Sequence, residues 1–211
     1  MARKGYGKEI GKLFGGVLLL IVAVIGLSYG SLLRGMSQAE KDYMSGDNEG
    51  ALKKYEAIDA RVRALGAIRI IPARDRRNLI LNQARLLYAL GRYDDAMERM
   101  EQENAISGNT NDGRFLLLRG EIAFRKAVKN YRESTKKDPR LLEEALRGAE
   151  DNLRDSLRLT PDDWDAKYNF EFVNYIRNLM NSDDQGKMKI LMENVRIKEM
   201  QPKALPADQQ G

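Results

Sequence analysis

The feature that most constrains this chain is a stretch without any charged side chain, from Leu13 to Leu33. Its centre, residues 17–25, reads VLLLIVAVI. A helix of this length reaches roughly 30 Å, which is the thickness of the apolar layer of a bilayer. The remainder of the sequence offers nothing hydrophobic enough to surround such a helix in a soluble core. We therefore predict that residues 13–33 form a transmembrane helix.

The charges on either side of this stretch predict its direction in the membrane. Residues 1–12 carry four basic side chains and one acidic one, whereas the charges that follow residue 33 are mixed in sign. Basic segments tend to stay in the cytoplasm, so we expect a cytoplasmic N-terminus in an inner (cytoplasmic) membrane and a soluble domain in the periplasm. The alternative is a cleaved signal peptide, with a poor cleavage site at Gly26-Leu27-Ser28. The apolar stretch is longer than that of a usual signal peptide, which favours retention.

The amino-acid composition excludes several kinds of chemistry. The chain has no cysteine and no histidine, so disulfides, thiolate or histidine metal sites and Ser-His-Asp catalysis are excluded. Glycine-rich phosphate loops, nucleophile elbows and calcium loops are also missing from the sequence. We therefore predict a protein that is not an enzyme and that binds no cofactor, metal ion or small-molecule substrate. The net charge of +5 is small and the soluble part is nearly balanced, so no nucleic acid is expected.

Helical spacing of apolar residues dominates the part of the chain after residue 33, and strand signals are poor. In residues 78–100, Ala84 and Leu87 mark one helical face, Gly91 breaks the helix, and Ala96 and Met100 begin a second face. The small alanines allow two antiparallel backbones to approach, and the glycine permits the left-handed turn between them. The pattern predicts a helical hairpin.

This hairpin resembles a tetratricopeptide repeat. Residues 86–100, LLYALGRYDDAMERM, carry that family's glycine and aromatic turn followed by its small alanine, although Met100 replaces the usual large aromatic residue. The same pattern recurs at residues 39–58, in pieces around Gly120, and at residues 149–170. The resemblance implies an all-α fold in which one N-terminal transmembrane helix is followed by a tetratricopeptide-like stack of helical hairpins.

The predicted boundaries follow from these patterns. They give a basic cytoplasmic N-terminus at 1–12, the transmembrane helix at 13–33, the helical domain at 34–200 and a flexible tail at 201–211. Within the helical domain we expect two long helices joined at residues 135–138 and a last amphipathic helix at 187–200. Asp138-Pro139 and Thr160-Pro161 are each predicted to cap the helix that follows, and the nearby Asp162 and Asp163 suit a helix N-terminus better than a metal site.

The densest aromatic group in the sequence lies at residues 164–175. A single helix face cannot bury all five of its rings, so we expect one edge to form a contact surface. The predicted partner-binding residues are Trp164, Tyr168, Phe172 and Tyr175. The fifth ring is Phe170.

Charged residues near the predicted helix faces are expected to be structural. Glu121 and Glu171 fall near apolar faces, where ion pairs across the core with Arg85, Arg119 or Arg125 are more common than acid–base roles. Basic side chains cluster at two places, for which a solvated face, an anionic lipid surface and an acidic partner are all open. These clusters are Arg69, Arg74, Arg76 and Arg77, and Lys126, Lys129, Arg132, Lys136 and Lys137.

One N-terminal span, a short tetratricopeptide-like domain with the junction TPDDWDAKYNFEF at residues 160–172, and no catalytic residues together resemble a bacterial family. It comprises the small membrane proteins of MoxR ATPase and von Willebrand A-domain clusters, particularly the MxaK type. The resemblance implies a periplasmic accessory protein that helps to assemble a methanol dehydrogenase by scaffolding. A general periplasmic chaperone accessory, bound to a secretion or folding machine, stays open as an alternative, as does a carboxylate-dependent cell-wall hydrolase.

Overall fold

The computed structural model describes residues 6–107 and 112–180, and every regular element in these ranges is helical. The predicted all-α fold is confirmed. The N-terminal basic segment is described only from Tyr6, and the predicted helix at 187–200 and tail at 201–211 lie outside the described residues. The α-helices are α1 (Tyr6–Met44), α2 (Asn48–Ala64), α3 (Ala73–Ala89), α4 (Tyr93–Ser107), α5 (Gly113–Glu133), α6 (Pro139–Leu159) and α7 (Trp164–Met180). A short 3-10 turn, Ala67–Arg69, precedes α3.

The chain divides into two compact units between Gly66 and Ala67. The first unit contains α1 and α2, which pack against each other as a hairpin. The second contains the 3-10 turn and α3 to α7, where successive helices pack in the pairs α3·α4, α5·α6 and α6·α7. In this second unit α5 also contacts α3, α4 and α7, so it lies at the centre of the packing.

The first helix is the longest element, with 39 residues. Side chains from Gly16 to Ser28 are all exposed, and the most apolar 18-residue window of α1 is only 6% buried. A core helix would be covered by the rest of the protein, so this exposure argues against a soluble-core role. Among the residues that the structure describes, α1 is thus the one helix long and apolar enough to cross a membrane. This helix continues without a break past residue 33, the predicted end of the span, to Met44.

The turn between α1 and α2 has the features predicted at residues 39–58. Gly46 has a positive φ of 89°, which a side chain would strain, and it allows the chain to reverse within three residues. Asp47 then caps α2 by accepting a hydrogen bond from the Gly50 backbone at 2.8 Å. Ala39 and Ala51 are completely buried, so the two helices approach closely at small residues.

The hairpin of α3 and α4 also matches its prediction. Gly91 lies in the turn with a positive φ of 74°, and Ala84 and Ala96 are completely buried. The rings of Tyr88 and Tyr93 meet across the turn, with 5.7 Å between their centroids. The aromatic pair thus packs over the turn of the hairpin, beside the glycine.

The hairpin of α5 and α6 is built on two helices of 21 residues each, joined through residues 134–138, which is one residue more than the predicted 135–138. Gly120 lies against Leu153, and a Cβ atom added to Gly120 would come within 2.7 Å of the Leu153 Cγ atom. The glycine is needed for this close approach of the two backbones. Asp138 caps α6 by accepting a hydrogen bond from the Arg140 backbone at 2.9 Å, as expected for the Asp-Pro start.

The predicted capping role of Thr160 is wrong. This residue ends α6, where its hydroxyl donates to the Ser156 carbonyl at 3.0 Å. The cap of α7 is instead Asp163, whose carboxylate accepts from the backbone N–H groups two and three residues further on, at 3.0 and 3.1 Å. The chain needs Pro161 and Asp162 to turn between the helices, which moves the helix start three residues along. The predicted role of Asp163 as a capping acid agrees with this geometry.

The arginine cluster at residues 69–77 is not a single solvated face. Arg69 and Arg74 are exposed, but Arg76 is buried and donates through Nε to both carboxylate oxygens of Glu103 on α4, at 3.2 Å each. A buried guanidinium is tolerated because the carboxylate pairs with it and shares its hydrogen bonds. This ion pair fastens α3 to α4.

The close approach at Gly120 is testable against a matched position. Gly120→Ala and Gly148→Ala both replace a helical glycine and gain the same helix propensity, but a Cβ atom at Gly148 meets nothing within 4 Å. Overpacking should therefore make Gly120→Ala less stable than Gly148→Ala by about 1–3 kcal/mol. Urea unfolding of the detergent-solubilised full-length variants, followed by circular dichroism, measures this difference. Equal midpoints would show that α5 and α6 do not pack closely at Gly120.

Candidate functional site

The last described helix, α7, has one face that packs on the rest of its unit and another that does not. Ala166, Val173 and Ile176 are buried in the core formed with α5 and α6. Asn169 is also buried on this side. These positions recur every three or four residues, so they define the inward face of the helix.

The four predicted partner-binding residues lie along one other side of α7, and we call them the aromatic strip: Trp164, Tyr168, Phe172 and Tyr175. Trp164 is 78% exposed, and Tyr168 and Tyr175 are each about half exposed. Phe172 is half-buried and packs against the core. The strip thus has one ring that holds it to the protein and three that face outward.

The structure brings two members of the aromatic strip into direct contact. The rings of Tyr168 and Phe172 are stacked, with 6.2 Å between centroids and an angle of 8° between planes. Phe172 also meets the buried Phe124 of α5 edge to face at 5.9 Å. Trp164 and Tyr175 are the two ends of the strip, separated by about 16 Å along the axis of α7. The strip is therefore an extended row of rings rather than one cluster.

Phe170, the fifth ring of the sequence cluster, has a structural role. It is half-buried, packs against the core, and lies 5.8 Å from the Arg154 guanidinium of α6. The expectation that part of the group is core and one edge faces outward thus matches the position of all five rings.

The position of α7 against α6 is fixed by an ion-pair network that the sequence analysis missed. Glu150 of α6 is buried and pairs with Arg177 of α7 and with Arg154 of its own helix. Arg177 also lies 3.9 Å from Glu143. Because a buried carboxylate requires its partners, this network resists sliding of α7 and holds the aromatic strip in place.

A second polar contact ties α7 to α5. Glu121 is buried, and its Oε1 atom accepts a hydrogen bond of 2.7 Å from the Asn169 side-chain amide. The sequence did not predict this hydrogen-bond partner, while the charges of Arg85 and Arg125, two of the arginines that it did predict, act on the same carboxylate. The sequence does contain a signal for such a pair, since Glu121 and Asn169 are each a polar residue on a helix face that is otherwise apolar. Pairing them requires knowing that α5 and α7 are neighbours.

Burial raises the pKa of Glu121 to about 8, because the surroundings disfavour the charged form. The charge of Arg85 on α3 opposes this rise, and that of Asp165 on α7 adds to it. The hydrogen bond from Asn169 and the charge of Arg125 also lower the pKa. A protonated Glu121 near neutral pH follows from this balance.

The other predicted acidic residue has a different position. Glu171 is exposed, so the expectation that it lies at an apolar face and pairs across the core is wrong. Its position three residues after the exposed Tyr168 places it on the outward side of α7, where water solvates the carboxylate.

The described residues contain no group of three histidine, cysteine or acidic side chains that could hold a metal ion. Glu121 has a raised pKa, as a general acid does, but it is only 2% exposed and a substrate could not reach it in this conformation. What the arrangement can do chemically is bind, through exposed rings on a helix held firmly from behind.

Comparison with known protein families, curated proteins and solved structures finds no match to this chain.

The burial of Glu121 predicts how stability depends on pH. The pKa is higher in the folded chain than in the unfolded one, so Glu121 contributes stability below about pH 4.5 that is lost as the pH rises through about 8. Glu121→Gln keeps the acceptor for Asn169 and cannot ionise. At pH 9 the variant should therefore be more stable than the unchanged protein by up to about 5 kcal/mol.

The measurement is the urea midpoint of both proteins between pH 5 and pH 9. Their difference should widen across this interval, because all other titrating groups are shared. Parallel curves would mean that Glu121 is not buried between α5 and α7 in solution.

Proposed function

We propose that this protein is a membrane-anchored scaffold that binds another protein through the aromatic strip of α7. The observation that carries the proposal is the exposure of Trp164, Tyr168 and Tyr175 on a helix whose other face is fixed by buried contacts. Large aromatic rings contribute much of the binding energy at protein interfaces, and they lose little side-chain entropy on binding. A row of them on a rigid helix is pre-organised for a partner.

The anchor in this proposal is the apolar part of α1. Its length, its lack of charge from residue 13 to residue 33 and its exposure suit a single span. The basic residues before the span favour a cytoplasmic N-terminus, and the part of the chain after residue 33 would then lie in the periplasm of a bacterium. The lipid bilayer is then the environment of residues 13–33.

The partner proposed for the strip is a helix of another membrane or periplasmic protein. The four positions advance along α7 by four, four and three residues, so their rings form a continuous ridge against which a second helix can pack. Stacked helical hairpins are a common framework for such binding. We infer no catalytic role for the chain.

The resemblance to the MxaK type supports a narrower version, in which the protein assists assembly of a periplasmic methanol dehydrogenase together with a MoxR and von Willebrand A-domain system. Scaffolding alone suffices for that role. A dedicated assembly factor should contact one fixed set of neighbours, whereas a general chaperone accessory should contact many unfolded clients.

The strip can be tested by substitution. Trp164→Ala and Tyr175→Ala should each weaken capture of the native partner by about 2 kcal/mol or more, as expected for the loss of an exposed aromatic anchor. Leu141→Ala is the control, because Leu141 is 65% exposed on α6 and lies outside the strip. Affinity capture from native membranes, with quantification of each co-purified protein, provides the readout.

Unchanged recovery of every partner with both strip variants would contradict the proposal. A photo-crosslinking residue in place of Tyr168 then separates the two versions of the function. A single dominant crosslinked protein supports the dedicated scaffold, and a broad distribution of unfolded proteins supports the chaperone accessory.

A further inference from the structure

The second helix returns along the first toward the membrane. A turn of three residues joins them, and the contacts between them fix how they are aligned. Near the turn, Lys54 pairs with Asp42 at 2.5 Å. Further along, the Tyr55 hydroxyl donates to the Met36 carbonyl at 3.4 Å. These contacts show that later residues of α2 lie beside earlier residues of α1.

The third contact between α1 and α2 is at Gly35, where an added Cβ atom would lie 3.0 Å from the Ile58 Cδ1 atom. Leu65, the C-cap of α2, is seven residues beyond Ile58, which corresponds to about 10 Å along the helix. Moving the same distance back along α1 from Gly35 reaches the level of Ser28. The end of α2 therefore lies beside the apolar stretch.

Burial along α1 agrees with this alignment. Side chains from Gly16 to Ser28 are exposed, Tyr29 is half-buried, and Leu32 is buried. Val62, near the end of α2, is buried as well. Helix α2 thus begins to bury side chains of α1 at about residue 29, inside the uncharged stretch.

The bilayer must reach the same level if α1 spans it. An apolar layer of about 30 Å takes roughly 20 helical residues, so a span that begins at Leu13 ends near Leu32. The last turn of α2 then lies at the boundary between lipid headgroups and acyl chains.

The side chains of this last turn suit that boundary. Arg61 is exposed, and Arg34 is exposed at a similar level on α1, whereas Arg63 donates through Nε to the Asp59 carboxylate at 2.7 Å. A guanidinium group binds phosphate oxygens well. The apolar stem of an arginine side chain can also lie in the acyl region while its charged end reaches the headgroups. Beyond them, Leu65 is an apolar side chain with 70% of its surface exposed.

We propose that the C-terminal turn of α2 is a membrane-binding element, in which Leu65 inserts below the headgroups and Arg34 and Arg61 bind the phosphates of phospholipids. The inference rests on the proposed anchoring of α1. It adds a second attachment to the same leaflet, which restrains rotation and tilt of the span. The end of α2, where the chain leaves the hairpin, is then at the bilayer surface.

The chain offers a matched control for this proposal, because Met44 is an apolar residue with 71% of its surface exposed at the opposite end of the same hairpin. The sequence has no cysteine, so Leu65→Cys, Met44→Cys and Leu27→Cys each give one labelling site. Each full-length variant is labelled with an environment-sensitive fluorophore and reconstituted into vesicles of phosphatidylcholine and phosphatidylglycerol. Quenching is measured with lipids that carry a nitroxide near the headgroup and with iodide in the outer solution.

The label at residue 65 should be quenched by the nitroxide lipid and should be several-fold less accessible to iodide than the label at residue 44. Similar iodide quenching at both positions would overturn the proposal. Protection from iodide without quenching by the nitroxide lipid would also overturn it, since protein and not lipid would then cover residue 65. The label at residue 27 distinguishes the anchor from the membrane-binding turn. If the nitroxide lipid does not quench the label at residue 27, the proposed anchor is rejected. If the lipid quenches the label at residue 27 but not the label at residue 65, only the membrane-binding turn is rejected.

A charge reversal tests the phosphate contact. Arg61→Glu should reduce lipid quenching of the label at residue 65, because a carboxylate is repelled from the phosphates. Lys53→Glu, at another exposed position of α2 nearer the distant turn, should leave it unchanged. Equal quenching in both variants would remove the arginine contact from the proposal.

Discussion

A helix in hydrocarbon must satisfy every backbone N–H and C=O group internally, and the proposed anchor depends on this requirement. The first helix, α1, meets it, since it is continuous through the uncharged stretch. The same helix extends beyond that stretch to Met44, where Gly46 allows the chain to turn. The hairpin with α2 is therefore not tethered by a loop but is a direct continuation of the apolar helix. In the proposed anchor, any tilt of the span would be transmitted to α2, so contacts at the end of α2 would restrain it.

Close approach at small residues organises each hairpin. Ala39 meets the first hairpin interface, Ala84 and Ala96 occupy the second, and Gly120 admits Leu153 in the third. On α7 the inward face is completed by Asn169 and by ion pairs to α6. That rigidity supports the binding role proposed for the aromatic strip, since little order must be gained when a partner binds.

Local patterns in the sequence were sufficient for the fold but not for the polar interior. The turn glycines, the small alanines and the Asp-Pro helix start act over a few residues, so Gly46, Gly91 and Asp138 could be placed correctly. The hydrogen bond between Glu121 and Asn169 joins residues 48 apart, and the pair Arg76–Glu103 joins residues 27 apart. Neither has a local signal for its partner. The outward position of the aromatic strip was predictable in part, because five rings exceed what one helix face can bury, while the structural role of Phe170 depends on Arg154 across the helix pair.

The central claim is that the apolar part of α1 stays attached to the mature protein and holds it in a membrane. Alkaline carbonate extraction of membranes, applied to the full-length chain with one tag at each end, tests it most directly. The account predicts that both tags stay in the membrane pellet on one band of full-length mass. Release of the full-length protein into the aqueous fraction would contradict the anchor, and a shortened band that has lost the N-terminal tag would show that the apolar helix is a cleaved signal.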